Sequence, residues 1–205
     1  MQPAEIEALS FKIIDAEAGA HTFDERQWPI VRRMIHTSAD FSFLETVRFH
    51  EKAIDVGIEA IVKGGPIFTD TNMARVGIRQ KELTHFGGSV KCLITDPEVT
   101  RIATETGSTR AAAAVDAAAS QMEGGIYVVG NAPTALLRIL ELIQIHKAKP
   151  ALVIGLPVGF VNAAESKAAL VDSDYPYISN VGRKGGSNIA ASVVNALLIM
   201  ATNKN

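Results

Sequence analysis

From residue 46 onward, short apolar runs alternate with longer segments of helical periodicity, and no other feature of the chain restricts its possible folds as much. Thr46 to Phe49, Ile67 to Thr69, Val90 to Ile94, Ile126 to Val129 and Ala151 to Ile154 are each followed by a helical stretch. Tyr177 to Ser179 is a weaker sixth run. Parallel neighbours need a crossover connection, usually a helix, and uninterrupted apolar runs such as Ala151-Leu152-Val153-Ile154 suit strands covered on both faces. The pattern predicts an α/β fold of three layers, α/β/α, around a mainly parallel sheet of about five strands occupying residues 46–205. Residues 1–45 precede it as two extra helices. In the first, Ile6, Leu9, Ile13 and Ile14 recur at helical spacing between Pro3 and a stop at Gly19. In the second, Trp28, Val31, Arg32 and Ile35 follow a polar start at Asp24, with Pro29 tolerated near that start and His36 at the end. No repeat or linker divides the 205 residues, so one domain is expected. The two N-terminal helices are more than such a sheet needs, which makes them candidates to cross its edge or to meet a second subunit.

Charge and cysteine content narrow the classes of partner. A formal net charge of -2 supplies no broad attraction for nucleic acid or for an anionic membrane surface, so any positive charge that matters must be local. Glu5 and Glu7 stand where a signal peptide needs basic residues and an apolar core, and no run reaches the length of a membrane span. The single cysteine, Cys92, lies in an apolar run and reads as a reduced, buried thiol. A cytoplasmic protein is expected.

In an open parallel sheet, ligands bind beyond the carboxyl ends of the strands, so the residues that follow each strand form one rim. Here they are small and polar. Thr69-Asp70-Thr71-Asn72 follow the second strand, Thr95-Asp96-Pro97 the third, Gly130-Asn131-Ala132-Pro133 the fourth and Gly155-Leu156-Pro157-Val158-Gly159-Phe160 the fifth. Capping explains several of them singly: Asp96 before Pro97 is a natural helix start, and Asn131 can cap a helix with Pro133 in its first turn.

Three features exceed capping. Arg110 follows Gly107-Ser108-Thr109 and opens a small-residue helix, which sets a guanidinium beside outward-pointing backbone donors. Gly182-Arg183-Lys184-Gly185-Gly186-Ser187-Asn188 repeats the arrangement before the last helix, with adjacent cations, close backbone approach and a hydroxyl at Ser187. Both favour a carboxylate or phosphate. The Gly155 to Phe160 loop would let a flat apolar ligand approach main chain.

His36 is the candidate for proton chemistry. It leaves an apolar turn and enters the small polar cluster Thr37-Ser38-Ala39-Asp40, so it can be packed from behind and face a cavity, and imidazole titrates near neutrality. The plainer alternative is a histidine satisfied by Asp40 or by a carbonyl at the helix end. No Walker sequence or strand-linked GxGxxG is present, the histidines show no metal-ligand spacing, and no GxSxG supports a hydrolytic nucleophile. No protein metal site is assigned. A flavin- or nucleotide-binding protein would share the predicted sheet and use the glycine-rich helix starts for phosphate, whereas a purely structural or interaction protein would leave His36 free to vary.

Taken together, Ser10-Phe11-Lys12-Ile13-Ile14, Arg33-Met34-Ile35-His36-Thr37-Ser38-Ala39-Asp40, Thr69-Asp70-Thr71-Asn72-Met73, Gly130-Asn131-Ala132-Pro133-Thr134-Ala135-Leu136, Gly155-Leu156-Pro157-Val158-Gly159-Phe160-Val161 and Arg183-Lys184-Gly185-Gly186-Ser187 resemble the precorrin-8 methylmutase family across nearly the whole chain. The resemblance implies a flavodoxin-like sheet, a homodimer and an isomerase of cobalamin biosynthesis. Its reaction moves a methyl group from C11 to C12 of the corrin precursor, with no cofactor beyond any cobalt the substrate carries. The wording Thr37-Ser38-Ala39-Asp40-Phe41 looks closer to the cobalt-containing branch. By position, His36 corresponds to the histidine that protonates or strongly hydrogen bonds the macrocycle. Arg110 and the loop Arg183, Lys184, Gly185, Gly186, Ser187 would hold the substrate's carboxylates. Ser10, Thr69, Asp70, Asn131 and Gly155 would orient the ring edge.

Overall fold

Pro3 and Pro29 each stand in the first turn of a helix, where the missing N–H has no intrahelical acceptor to lose. The computed structural model describes residues 2–203. Its helices are α1 (Pro3–Ala18), α2 (Trp28–Ser38), α3 (Phe43–Thr46), α4 (Ala53–Val62), α5 (Asn72–Gly77), α6 (Gln80–Thr84), α7 (Pro97–Thr106), α8 (Arg110–Ala118), α9 (Pro133–Gln144), α10 (Ala163–Val171) and α11 (Ser187–Asn203). The strands are β1 (Val47–Phe49), β2 (Ile67–Thr69), β3 (Val90–Lys91), β4 (Ile126–Val129), β5 (Leu152–Gly155) and β6 (Tyr177–Asn180).

These strands form one six-stranded sheet in the order β1-β6-β5-β4-β2-β3. Five of them run parallel, and β1 lies antiparallel to β6 at the edge. The expected count of about five is therefore low by one, and the sheet is mixed. Crossover logic does not fix the direction of β1, because β6, β5 and β4 lie between it and the next strand in sequence. Two boundaries also differ from expectation. Thr46 closes α3 instead of opening a strand, and β3 stops at Lys91, leaving Cys92 half-buried beyond it. A short edge strand ending in lysine resists pairing with another sheet.

Period-two alternation divides the strand side chains between two cores. Ile67, Ile126, Val128, Leu152, Ile154 and Ile178 pack with α2, α4 and α11, while Phe68, Tyr127, Val129, Val153 and Tyr177 pack with α8, α9 and α10. The three-layer prediction holds on this count. Loss of one fully buried aliphatic side chain such as Ile154 would cost about 2–5 kcal/mol.

The N-terminal helices meet this body unequally. Ile30, Val31, Met34 and Ile35 bury one face of α2, which lies along α11. α1 buries only Ile14 and is held to α2 mainly at polar and aromatic contacts: Trp28 Nε1 donates to Asp15 at 2.9 Å, Arg33 pairs with Glu7 at 3.1 Å, and the Arg32 guanidinium lies 4.4 Å from the Phe11 ring centre. Of the expected apolar stripe of α1, Ile14 reaches the core, while Ile6, Leu9 and Ile13 stay 51%, 47% and 48% exposed. No helix among the described residues is long and apolar enough to cross a membrane.

Candidate active site

The antiparallel edge strand brings the N-terminal segment to the rim. Val47, the first residue of β1, pairs with Asn180, the last of β6, so the chain entering β1 lies at the end of the sheet where the parallel strands terminate. The Val181 N–H donating to the Thr46 carbonyl at 2.9 Å continues the register. The end of α2, with His36, thus joins the loops that follow the other strands.

His36 lies in the last turn of α2 and is exposed. Its ring meets Phe11 edge-on, centroids 5.2 Å apart, which packs one side of the imidazole and leaves another open. It lines a cavity of about 250 Å³ with Ser10, Glu17 and Phe41. The structure therefore brings Ser10 and His36 together although they belong to different helices. Asp40 is not the partner of His36. Its carboxylate accepts from Lys184 Nζ at 2.6 Å and from the Ser42 N–H at 3.0 Å, and the lysine bond first, then the Ser42 bonds, hold its pKa below the ordinary carboxylate value. Between the two lies Ala39 in the left-handed region, φ 54°, with its N–H on the Ile35 carbonyl at 2.7 Å. A residue with a Cβ is unfavourable there, and the turn aims His36 and Asp40 differently.

Asp70 organises the opposite part of the rim from below. Only 1% exposed, its carboxylate accepts the N–H groups of Gly130, Asn131 and Ala132 at 2.9, 2.8 and 2.7 Å. Burial pushes its pKa up, and the three donors oppose that shift. Asn131 does not cap α9: no side chain caps that helix, the Asp70 carboxylate holds the N–H groups of the three residues that lead into it, and Asn131 points to solvent. Thr69, also buried, donates to the Thr71 carbonyl at 3.0 Å, and the Thr71 hydroxyl meets that of Ser187 at 2.8 Å. Gly155 is buried beneath the rim, where its carbonyl accepts from the Ser179 hydroxyl at 2.6 Å. A Cβ at Gly130 would come within 2.5 Å of the Ser187 Cα, so α11 can start directly against the end of β4.

The loop after β6 faces both environments. The Gly186 N–H donates to the Leu156 carbonyl at 2.9 Å and the Gly159 N–H to the Arg183 carbonyl at 3.1 Å, joining this loop to the one after β5. At Gly185, φ 156°, a Cβ would lie 2.3 Å from the Leu156 oxygen. Arg183 is exposed above Phe160, guanidinium carbon 5.5 Å from the ring centre, and Phe160 is itself 84% exposed. Lys184 donates to Asp40 and, at 2.9 Å, to the Ser42 hydroxyl. A second cavity of about 400 Å³ is lined by Thr37, Ser38, Asp40, Val158, Lys184 and Asn188. Arg110 begins α8 and is exposed; the adjacent Thr109 hydroxyl caps α8 and meets Thr134 of α9 at 2.9 Å, so Arg110 stands near the Asn131 corner.

The sequence candidates thus fall into two groups. His36, Ser10, Arg110, Asn131, Arg183, Lys184 and Gly185 reach the surface or a cavity wall, whereas Thr69, Asp70, Gly155, Gly186 and Ser187 lie under it and hold the loops. The Asp40–Lys184 pair was missed as a site element because its members are 144 residues apart, whereas the Gly155 to Phe160 loop expected to receive a flat apolar ligand does present Phe160 to solvent.

Fold and rim together define a three-layer α/β protein with a solvent-facing histidine, dispersed cations and no deep enclosed pocket among the cavities described, a surface suited to a broad anionic ligand. Residues 5–200 match the family model for precorrin-8X methylmutase. The chain belongs to that family. It is 45% identical over 98% of its length to the cobalt-precorrin-8 methylmutase of Priestia megaterium, covering 89% of that protein. It is 46% identical to that of Salmonella typhimurium, with 96% and 95% of the two chains covered. The crystal structure of precorrin-8X methylmutase from Thermus thermophilus superposes with a TM-score of 0.91 at 43% identity, covering 98% of this chain and 97% of that one.

Proposed function

We propose that this isomerase of cobalamin biosynthesis moves a methyl group from C11 to C12 of cobalt-precorrin-8, or of its metal-free counterpart, to give cobyrinic or hydrogenobyrinic acid, and that His36 is the proton donor. A proton delivered to the macrocycle withdraws electron density from its conjugated system and lowers the barrier to migration, a task for a group titrating near neutrality. The observation that carries the assignment to His36 is its setting: exposed on a cavity wall beside Ser10, braced by Phe11, with the nearest carboxylate in sequence engaged by Lys184. The cobalt-containing substrate is preferred because both relatives compared above bear that name. No added cofactor takes part, since an intramolecular shift needs neither electrons nor a group carrier.

The macrocycle rests its apolar face on the Val158 to Val161 loop, and its carboxylates meet Arg183 and Arg110. Lys184 has an acid partner within the chain and acts chiefly through it. A homodimer is proposed, with the exposed stripe Ile6, Leu9 and Ile13 of α1 at the interface, which would border the His36 cavity through Ile13. The parallel strands taken alone follow the order 2-1-3-4-5, the flavodoxin-like arrangement, with β1 added outside. The working compartment is the cytoplasm. The deciding experiment is to follow the absorption spectrum of the purified protein with its corrinoid precursor, wild type against His36→Ala. A colour change in the wild type that the variant lacks supports the assignment. An equal change in both removes His36 from the mechanism, and no change with either removes the reaction.

A further inference from the structure

Lys167 is a buried cation that the proposed reaction does not use. It projects from α10, is 0% exposed, and has no carboxylate in any ion pair among the described residues. Its Nζ donates to Asn180 Oδ1 at 3.1 Å and to the Lys184 carbonyl at 2.5 Å. Burial lowers its pKa to about 8. Retaining an ammonium there without an acid is costly unless its donors are needed where they are. What they hold is the turn after β6. Asn180, oriented by Lys167, donates Nδ2 to the carbonyls of Val181 at 3.2 Å and Lys184 at 3.0 Å, so two side chains grip one carbonyl from inside the protein. The same residue, Lys184, then reaches outward to Asp40 at 2.6 Å, in the turn that follows His36. The grip also sets Arg183, whose carbonyl accepts from Gly159 at 3.1 Å in the loop bearing Phe160.

We propose that Lys167 is a positioning residue for the corrinoid site, clamping the 181–186 loop from below so that Arg183 and Lys184 stand at their places on the rim. This rests on the reading of the rim as the substrate site. Lys167 touches no substrate. Its removal loosens the cationic loop, while His36 keeps its place on α2, which is anchored by its own buried face.

The test is Lys167→Met, which keeps the length and removes the donors. Two readouts separate this proposal from the reading beneath it. Amide hydrogen exchange needs no substrate: faster exchange confined to the peptides covering 156–162 and 181–186 is expected, whereas unchanged exchange there, or acceleration spread evenly through the sheet, overturns the clamp. Turnover and product titration read the functional half. KM and the product Kd should rise about tenfold, equivalent to ~1.4 kcal/mol, with kcat within about threefold. A loss in kcat with unchanged KM and Kd overturns the proposal. Lys184→Met combined with Lys167→Met should weaken binding by less than the product of the single effects, because both act through one loop; full additivity also overturns it. If Lys167→Met does not fold, Asn180→Ala takes its place with the same expected exchange pattern, and unchanged exchange in that variant overturns the clamp. Failure of the wild type to bind or convert the corrinoid would defeat the functional reading, and the exchange result would still decide whether Lys167 holds the loop.

Discussion

The corner bearing His36 and the rim above Asp70 lie at the same end of one sheet and are built in opposite ways. Around Asp70 the backbone is closed in: a buried carboxylate takes three N–H groups, Gly130 admits the start of α11, and Thr71 meets Ser187. Around His36 the side chains face solvent, the helix ends on a left-handed alanine, and the imidazole is braced by the Phe11 ring in an edge-to-face pair. Under the proposed function, a rim that must hold a broad ligand places its rigidity in the loops and leaves the proton donor on an exposed helix end. Rigid loops preserve the geometry of many weak contacts, and an exposed imidazole keeps the freedom to exchange protons with water.

The widest separation between the two regions should come from paired substitutions. His36→Ala is expected to lower turnover by about 10²–10⁴-fold while stability and product affinity stay near wild type, measured by stopped assays and urea unfolding. Asp70→Asn should do the reverse. It replaces an acceptor of three buried or half-buried donors with an amide that supplies one oxygen, and a loss of about 2–4 kcal/mol in unfolding free energy is expected. An Asp70→Asn variant as stable as wild type would mean that the three N–H groups do not depend on this carboxylate for the rigidity of the rim.

Smaller effects divide the cations. Arg183→Gln should weaken product binding by up to about fivefold at low salt and flatten its salt dependence, because a partly exposed pair is worth about 0.2–1 kcal/mol and is screened beyond a Debye length of about 8 Å. Lys184→Gln should leave the salt slope closer to wild type, since Asp40 already neutralises that ammonium. Equal flattening in both variants would make Lys184 a direct carboxylate site. The smallest effect is the pH dependence of the Asp40–Lys184 pair. Asp40 titrates below its unfolded value because Lys184 bonds to its charged form, so the pair's contribution is fully present above the ordinary carboxylate range and disappears as pH falls through the depressed value. With Lys184 58% exposed, screening limits this to below about 1 kcal/mol. Acid unfolding of Asp40→Asn against wild type measures it, and identical curves would mean the latch adds nothing.

The chain's pattern foretold much of this because its main signals are local. Apolar runs with helical connections describe a covered parallel sheet whatever the partners are, and Asp96 before Pro97 caps its helix within a few residues, as the Glu98 N–H at 2.8 Å bears out. The motif resemblance reached the family for a related reason: loops that hold one ligand shape must keep their small residues in order. Asn131 and Asp70 show where local reading stops. Asn131 had the capping position in sequence, but it leaves α9 without a side-chain cap and gives its own N–H to Asp70, 61 residues earlier, because β2 and β4 are neighbours.

By itself the sequence determined the α/β class, the helices at both ends and the polar rim, since each depends on periodicity or on side-chain chemistry within a short window. Tertiary structure alone decided that β1 runs antiparallel and so carries His36 to the rim, that Asp70 lies beneath the surface, that Lys184 faces Asp40, and that Lys167 donates to the Lys184 carbonyl in the loop after β6. Those outcomes depend on which backbone ends the sheet brings together, and a buried charge or a long-range ion pair leaves no periodic trace in the chain that forms it.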